Sequence, residues 1–178
     1  MTMIKELPNA VQAEESVLGT ILSFGTEIYE KVQPWIKQEE VFYRDIHQEL
    51  WKCFTALYKE NQEIDLITVT EKLKEMNLTL INKDDYGAYY LTGLASKCEM
   101  KSNVVTHAKI VYEKYVQRQT AISSYSLFDK ASENYKDIQS SLVEHERLID
   151  ELKSIQPTRK KTIDDVMDDN LEELETTN

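Results

Sequence analysis

The stretch "AEESVLGTIL", residues 13–22, decides the fold class. Ala13, Val17, Leu18, Ile21 and Leu22 fall at i, i+4, i+5, i+8 and i+9, one face of a helix with 3.6 residues per turn. Gly19 sits beside that face, where glycine costs about 1 kcal/mol against alanine. A helix carries that loss usefully where a second helix must come very close. The expectation is therefore a helix from 13 to 24, crossed tightly near Gly19.

Working outward, the same signature repeats. The chain of 178 residues holds only four glycines and three prolines, so turns are few and helices long. Apolar residues at 41% suffice for a core, while a mean hydropathy of -0.51 keeps much of the surface wet. An all-α protein follows: a compact helical head, a long antiparallel hairpin and a short linker helix. The division expected is 1–100, 101–156 and 157–178.

Within the head, Thr26 is a candidate cap for "EIYEKVQPWI", which Pro34 kinks or restarts. A helix from about His47 to Lys59 shows the stripe Leu50, Trp51, Phe54, Leu57 and Tyr58. Ile64, Leu66 and Ile67 are expected to tuck inward. Thr68 with Glu71 reads as a capping box opening a helix that runs to about Met76. Residues 85–96 form a further helix presenting Tyr90, Leu91, Leu94 and Ala95. Trp51, Phe54, Leu50, Leu18 and Ile21 are assigned to the core, and Cys53 reads as a small buried hydrophobe.

From Ser102, a candidate cap, apolar residues recur at Val104, Ala108, Val111, Tyr115, Ile122 and Tyr125, a helix of about thirty residues and about 45 Å. A second run from Asp137 to Ile155 carries Ile138, Leu142, Ile149 and Leu152. Two long helices joined by the polar "SENYK" read as an antiparallel hairpin. The head covers one side of it, so an apolar self-association surface is expected, of about 800 Å² per partner. After Pro157 and the basic "TRKK", the tail from Thr162 holds seven acidic residues and none basic. Ile163, Val166, Met167, Leu171 and Leu174 keep helical spacing there, with Thr162 and Asp165 as cap candidates. Such a short amphipathic helix docks elsewhere or stays frayed.

Chemistry-bearing patterns are scarce. A formal charge of -11 argues against direct binding of a phosphate backbone, which rests on clustered Lys and Arg. An acidic surface suits basic protein partners or simple solubility. Cys53 and Cys98 match no zinc spacing, and His47, His107 and His145 lack the close spacings of metal ligands. The carboxylates read as spread over solvent faces. Gly19, Gly25, Gly87 and Gly93 are each isolated and none precedes Lys, so the glycine-rich phosphate loop of nucleotide-binding proteins is missing. No catalytic, cofactor or metal site is expected. No signal peptide opens the chain and no apolar run reaches membrane-span length, which makes the cytoplasm the default.

Five blocks carry a resemblance: "LPNAVQAEESVLGTIL", "VFYRDIHQELWKCFTALY", "NQEIDLITVTEKL", "YGAYYLTGLA" and "NVVTHAKIVYEKYVQRQ". In order and spacing they resemble the N-terminal domain of the DnaB-type bacterial replicative DNA helicases, over about residues 7 to 155. The tail is similar to the linker helix that follows in that family. Departures are Gln12 where the family commonly has Glu, the lone Gly87 where it often has a Gly-Gly pair, and His107 where it has Tyr.

The resemblance implies a helical collar whose hairpins pair between subunits, dimers in isolation and a trimer of dimers in the hexameric helicase. It implies primase and a helicase loader as partners. ATP and magnesium would belong to motor domains beyond the linker, and the chain is expected to stop short of them. On that reading Tyr90, Tyr115, Ile122, Leu127 and Leu142 are candidates for self-association or primase contact, and Ile163, Met167 and Leu171 for linker docking. A free-standing helical primosome adaptor or loader-like protein is the alternative; an enzyme with an unrecognised site is a third.

Overall fold

A computed structural model of the chain describes residues 6–78, 86–98, 100–132 and 138–155. Those residues form seven α-helices and no strands: α1 (Val11–Phe24), α2 (Thr26–Val32), α3 (Asp45–Lys59), α4 (Leu66–Glu75), α5 (Tyr86–Ser96), α6 (Val104–Ser132) and α7 (Ile138–Ile155). Single 3-10 turns, Glu39–Val41 and Lys101–Asn103, precede α3 and α6. The all-α reading holds. Residues 157–178, with the linker candidates Ile163, Met167 and Leu171, lie outside the described residues, as does most of the "SENYK" connection.

Helix α1 is the axis of the head. Val17, Leu18, Ile21 and Leu22 are buried, and α5 and α6 flank it. A Cβ placed on Gly19 would lie 2.1 Å from the Leu94 carbonyl oxygen and 3.0 Å from its carbon. The glycine therefore marks the tight α1–α5 crossing that its place in the stripe predicts. At the end of α1, Gly25 adopts φ +74°, a left-handed conformation open to glycine, and its N–H donates to Ile21 at 2.7 Å.

Leu50, Trp51, Cys53, Phe54 and Leu57 of α3 are buried as the stripe requires. Tyr58, from the same stripe, is exposed, and its hydroxyl reaches Glu30 at 3.1 Å. Trp51 meets the rings of Tyr29 and Phe42 with centroids 4.9 and 5.6 Å apart. The Cys53 thiol lies 3.7 Å from the Val69 carbonyl, and burial pushes its pKa up to about 12.

Three local expectations are corrected. The capping box on α4 is Asp65 with Thr68, not Thr68 with Glu71. Asp65 Oδ1 accepts from the N–H groups of Ile67 (2.7 Å) and Thr68 (2.9 Å), and Thr68 Oγ1 accepts from the Asp65 N–H at 3.0 Å. Asp is among the strongest N-caps, and its charge complements the helix dipole. The earlier start puts Leu66 and Ile67 in an exposed first turn, so of the expected trio only Ile64 is buried.

Thr26 does not cap α2: Gly25 holds that position, and the Thr26 hydroxyl donates to Glu63 at 2.9 Å. The helix ends at Val32: Gln33 keeps helical backbone angles and its N–H still donates to Tyr29, but Pro34 has no N–H with which to continue the ladder. Ser102 lies inside the 3-10 turn before α6, with its hydroxyl on Asn103, so it is no cap for that helix.

The core continues across residue 100. Val104, Ala108, Val111, Tyr112 and Tyr115 of α6 join the same cluster as α1 and α3, and Leu152 of α7 closes it. The two long helices run antiparallel, tied by the Tyr112 hydroxyl to the Leu152 carbonyl at 2.8 Å and by Ser123 with His145 at 2.6 Å. Beyond Arg118 no residue of α6 is buried. The outer half of the hairpin leaves the head.

Candidate functional site

Two places combine polar or apolar groups beyond what packing needs. The first is inside the head. Glu14 of α1 is only 1% exposed, which corrects the reading of the carboxylates as solvent-facing. Its Oε1 accepts from the Tyr43 N–H at 2.7 Å and its Oε2 from the Arg44 N–H at 3.5 Å. His47 Nδ1 lies 2.6 Å from Oε2, and His47 Nε2 lies 2.7 Å from the Tyr90 hydroxyl.

The carboxylate thus occupies the N-terminal edge of α3, where unpaired N–H groups and the helix dipole favour an anion. A carboxylate acceptor holds the ring proton on Nδ1, which leaves Nε2 of a neutral ring to accept from Tyr90. The chain of groups links α1, α3 and α5, with Glu14 and His47 buried and Tyr90 half-buried at its end.

Arg118 fastens the adjoining region. Its guanidinium is buried and donates to the carbonyls of Pro8 (3.0 Å), Glu40 (3.1 Å) and Val41 (3.1 Å). It also lies over the rings of Tyr43 and Tyr115. On the opposite side of α1, Ser16 meets His107 Nδ1 at 2.9 Å. The histidine that departs from the familiar tyrosine is thereby tied to α1 as well as lying on α6.

The second place is the outer hairpin. Ile122, Tyr125 and Phe128 on α6 and Leu142 and Val143 on α7 are exposed, Phe128 at 68% and Leu142 at 44%. Large apolar side chains grouped on one projecting element mark an interaction surface more strongly than the same residues scattered singly.

The contact candidates divide between these places. Ile122 and Leu142 are on the exposed arm, and Leu127 lies half-buried in the groove between its helices. Tyr115 and Tyr90 instead turn inward. Tyr115 is buried with its hydroxyl accepting from Gln38 at 2.8 Å, and Tyr90 is half-buried on His47. Their aromatic rings finish the head core, which corrects the expectation that they present free surface. Phe128 and Val143, missed in the sequence, are the more exposed members of the arm; for Phe128 the offset from the inner stripe of α6 is the signal that could have found it, and for Val143 its place beside Leu142 on α7.

Among the described residues, no group of three or more His, Cys, Asp or Glu side chains is placed to hold a metal ion. No described helix is long and apolar enough to cross a membrane.

Comparison with known proteins agrees with this architecture. The family model for the DnaB-like helicase N terminal domain matches residues 6–113. The Rhodothermus marinus replicative DNA helicase DnaB is 30% identical over 169 residues, covering 94% of this chain and 17% of the relative. The Bacillus subtilis (strain 168) replicative DNA helicase DnaC is 28% identical over 171 residues, covering 94% of this chain and 37% of the relative. The chain therefore spans well under half the length of these relatives. Among solved structures, the N-terminal domain of DnaB helicase from Mycobacterium tuberculosis superposes with a TM-score of 0.70 at 25% identity, covering 80% of this chain and 96% of that one.

Proposed function

The chain belongs to the DnaB-like helicase N-terminal domain family, and from that premise we propose that it acts as the collar of a replicative DNA helicase. In this role it associates with copies of itself and receives primase and a helicase loader, in the bacterial cytoplasm. ATP-driven unwinding, with its magnesium, belongs to a motor domain of the kind carried by longer relatives. The collar itself works by geometry: the head holds the hairpin at a fixed angle, and the hairpin presents the contact surface.

The observation that carries this reading is the apolar arm. Ile122, Tyr125, Phe128, Leu142 and Val143 remain exposed while the inner half of the same hairpin is sealed into the core. A face of that kind gains by burial at about 25 cal/mol per Å² of apolar area. The linker residues Ile163, Met167 and Leu171 would dock on a neighbouring subunit by the same physics.

Sedimentation velocity over a rising concentration series tests the proposal. The chain is expected to pass from monomer to dimer, and Phe128→Glu to remain monomeric at every concentration. Capture of the cognate primase should be lost with Leu142→Glu and kept with Lys37→Glu, a change on the head. A chain that stays monomeric and ignores primase would overturn the collar reading in favour of a free-standing adaptor.

A further inference from the structure

The far end of α7 returns to the head beside a surface of a different kind. Ser123 of α6 meets His145 of α7, and Tyr112 meets Leu152. That antiparallel register brings Ile155, the last residue of α7, to about the level of Lys109 on α6. The Tyr112 ring packs edge-on against Trp35 with centroids 6.4 Å apart, and Lys109 Nζ lies 4.9 Å from the centre of the Trp35 ring. The chain therefore leaves α7 next to Trp35 and Lys109.

Lys101, Val105 and Lys109 follow one another at intervals of four along the start of α6, the spacing of one helical face. Phe24, 41% exposed, has Lys101 Nζ 4.0 Å from its ring centre, as half-buried Trp35 has Lys109. Two lysines over two accessible rings thus mark a strip about 12 Å long, at 1.5 Å per residue. Among the described residues, no carboxylate oxygen lies within 4.0 Å of either ammonium group. Glu27, which feels the charge of Lys101, is held by Lys31 instead. In a chain of net charge -11, a cationic and aromatic strip fits an anionic segment with an apolar edge.

We propose that this strip seats the chain's own C-terminal segment, Ile163–Leu174. That segment carries Ile163, Val166, Met167, Leu171 and Leu174 at helical spacing, and from Thr162 onward the chain has seven carboxylates and no cation. The residues from Gln156 to Thr162 reach about 23 Å when extended, and a helix over Ile163–Leu174 runs about 18 Å. Both ends of the strip are within range of a segment that starts beside Lys109. The apolar edge covers Phe24, Val105 and Trp35, while carboxylates on either side of it pair with Lys101 and Lys109. The proposed function docks Ile163, Met167 and Leu171 on a neighbouring subunit; the strip holds them on their own head until a neighbour is present. The seat stands on the head's surface and the segment's composition, and does not depend on that reading.

NMR on the full chain tests the seat, with isotope filtering in mixtures of labelled and unlabelled copies to separate contacts within a chain from contacts between chains. Nuclear Overhauser contacts are expected from the Met167 methyl to the Trp35 ring, within one copy and unchanged on dilution. Lys101→Glu combined with Lys109→Glu should abolish them. Adding Asp164→Lys, Asp165→Lys, Asp168→Lys and Asp169→Lys to that pair should bring them back, since the charges are then opposite again. Lys74→Glu, an equal change of charge on α4, should leave them intact. The remaining amide spectrum verifies that each variant folds. Absence of these contacts in the parent chain, contacts found only between copies, or contacts indifferent to both lysines would overturn the seat. A chain that keeps them and yet stays monomeric upholds the seat and removes the collar; an associating chain without them does the reverse.

Discussion

The inner and outer halves of α6 belong to one helix and differ in almost everything that burial controls. Over Val104–Arg118 the helix fills the head with Val104, Ala108, Val111, Tyr112 and Tyr115, and ends on a guanidinium that serves three carbonyls. Over residues 119–132 no side chain is buried, although Ile122, Tyr125 and Phe128 are as apolar as anything inside. Helical propensity cannot make that difference, since both halves form the same regular helix. Tertiary cover makes it. The inner half is held by what it touches, and the outer half is free to be held by something else.

The largest test of this contrast lies where the inner half's supports meet. Gly19→Ala would ordinarily gain about 1 kcal/mol of helix propensity. Here the added Cβ would collide with backbone, 2.1 Å from the Leu94 oxygen, and backbone cannot step aside as a flexible side chain can. The variant is expected to lose about 3 kcal/mol or more in urea denaturation. Gly93→Ala is the control, because nothing lies within 4 Å of a Cβ there. If both substitutions behave alike, the tight α1–α5 crossing is wrong.

Next in size is the buried carboxylate. Glu14→Ala leaves the N–H groups of Tyr43 and Arg44 and the His47 ring without their acceptor inside a closed site. Uncompensated buried polar groups of this kind cost about 3 kcal/mol. Glu14→Gln, which keeps a carbonyl acceptor, should lose about half as much. The neighbouring Glu15→Ala should lose under about 1 kcal/mol, since its ion pairs with Arg44 and Lys97 use exposed cations. Equal losses at 14 and 15 would mean that the interior network contributes nothing.

These residues also show what could be read in advance and what could not. The stripes of α1, α3 and inner α6 were plain in the sequence because apolar periodicity reports burial directly. The polar interior was not, although its position was printed in the same register. Glu14 precedes Val17, Leu18 and Ile21 by three, four and seven residues. His47 stands identically to Leu50, Trp51 and Phe54, and Arg118 follows Tyr115 and Val111 by three and seven. A charged or ring-nitrogen side chain on an apolar stripe signals a buried partner. Its identity is set by the fold, because Glu14 and His47 are 33 residues apart.

The outer arm was legible only in part for the opposite reason. Exposed Phe128 and buried Tyr112 look alike to a hydrophobicity pattern, and only the position of the head separates them. Tyr90 and Tyr115 were drawn toward the surface by the same ambiguity. The Asp65 cap was displaced by a competing signal three residues later, where Thr68 and Glu71 also fit the capping pattern.

Alkaline titration sharpens the contrast at smaller scale. Burial raises the pKa of Tyr29, Tyr112 and Tyr115, and takes that of Cys53 from 9.0 to about 12. Each raised value means that the folded chain keeps a proton the unfolded chain has given up. The stability is fully present below the unfolded pKa and is lost as pH rises through the interval to the folded one. For Cys53 that interval is pH 9 to about 12, with a slope of about 1 kcal/mol per pH unit for one group. Cys53→Ala should flatten the fall over this range after its lower starting stability is allowed for. A parallel curve would show that the thiol ionises without unfolding the head.

The smallest expected effect is the most telling for function. Tyr125→Ser and Val143→Ser remove side chains that are 63% exposed in the chain alone, so each should change unfolding free energy by no more than about 0.5 kcal/mol under dilute, monomeric conditions. Phe54→Ser, in the core, should cost several times as much. Raising the protein concentration separates two explanations of that neutrality. If the arm is merely solvated, the variants and the parent chain keep equal stability at every concentration. If the arm is an interface, the parent chain gains stability as copies associate and the variants do not, because only the associated state binds the face they have lost. The difference between the curves measures the cover that the head gives the inner half of α6 and withholds from the outer.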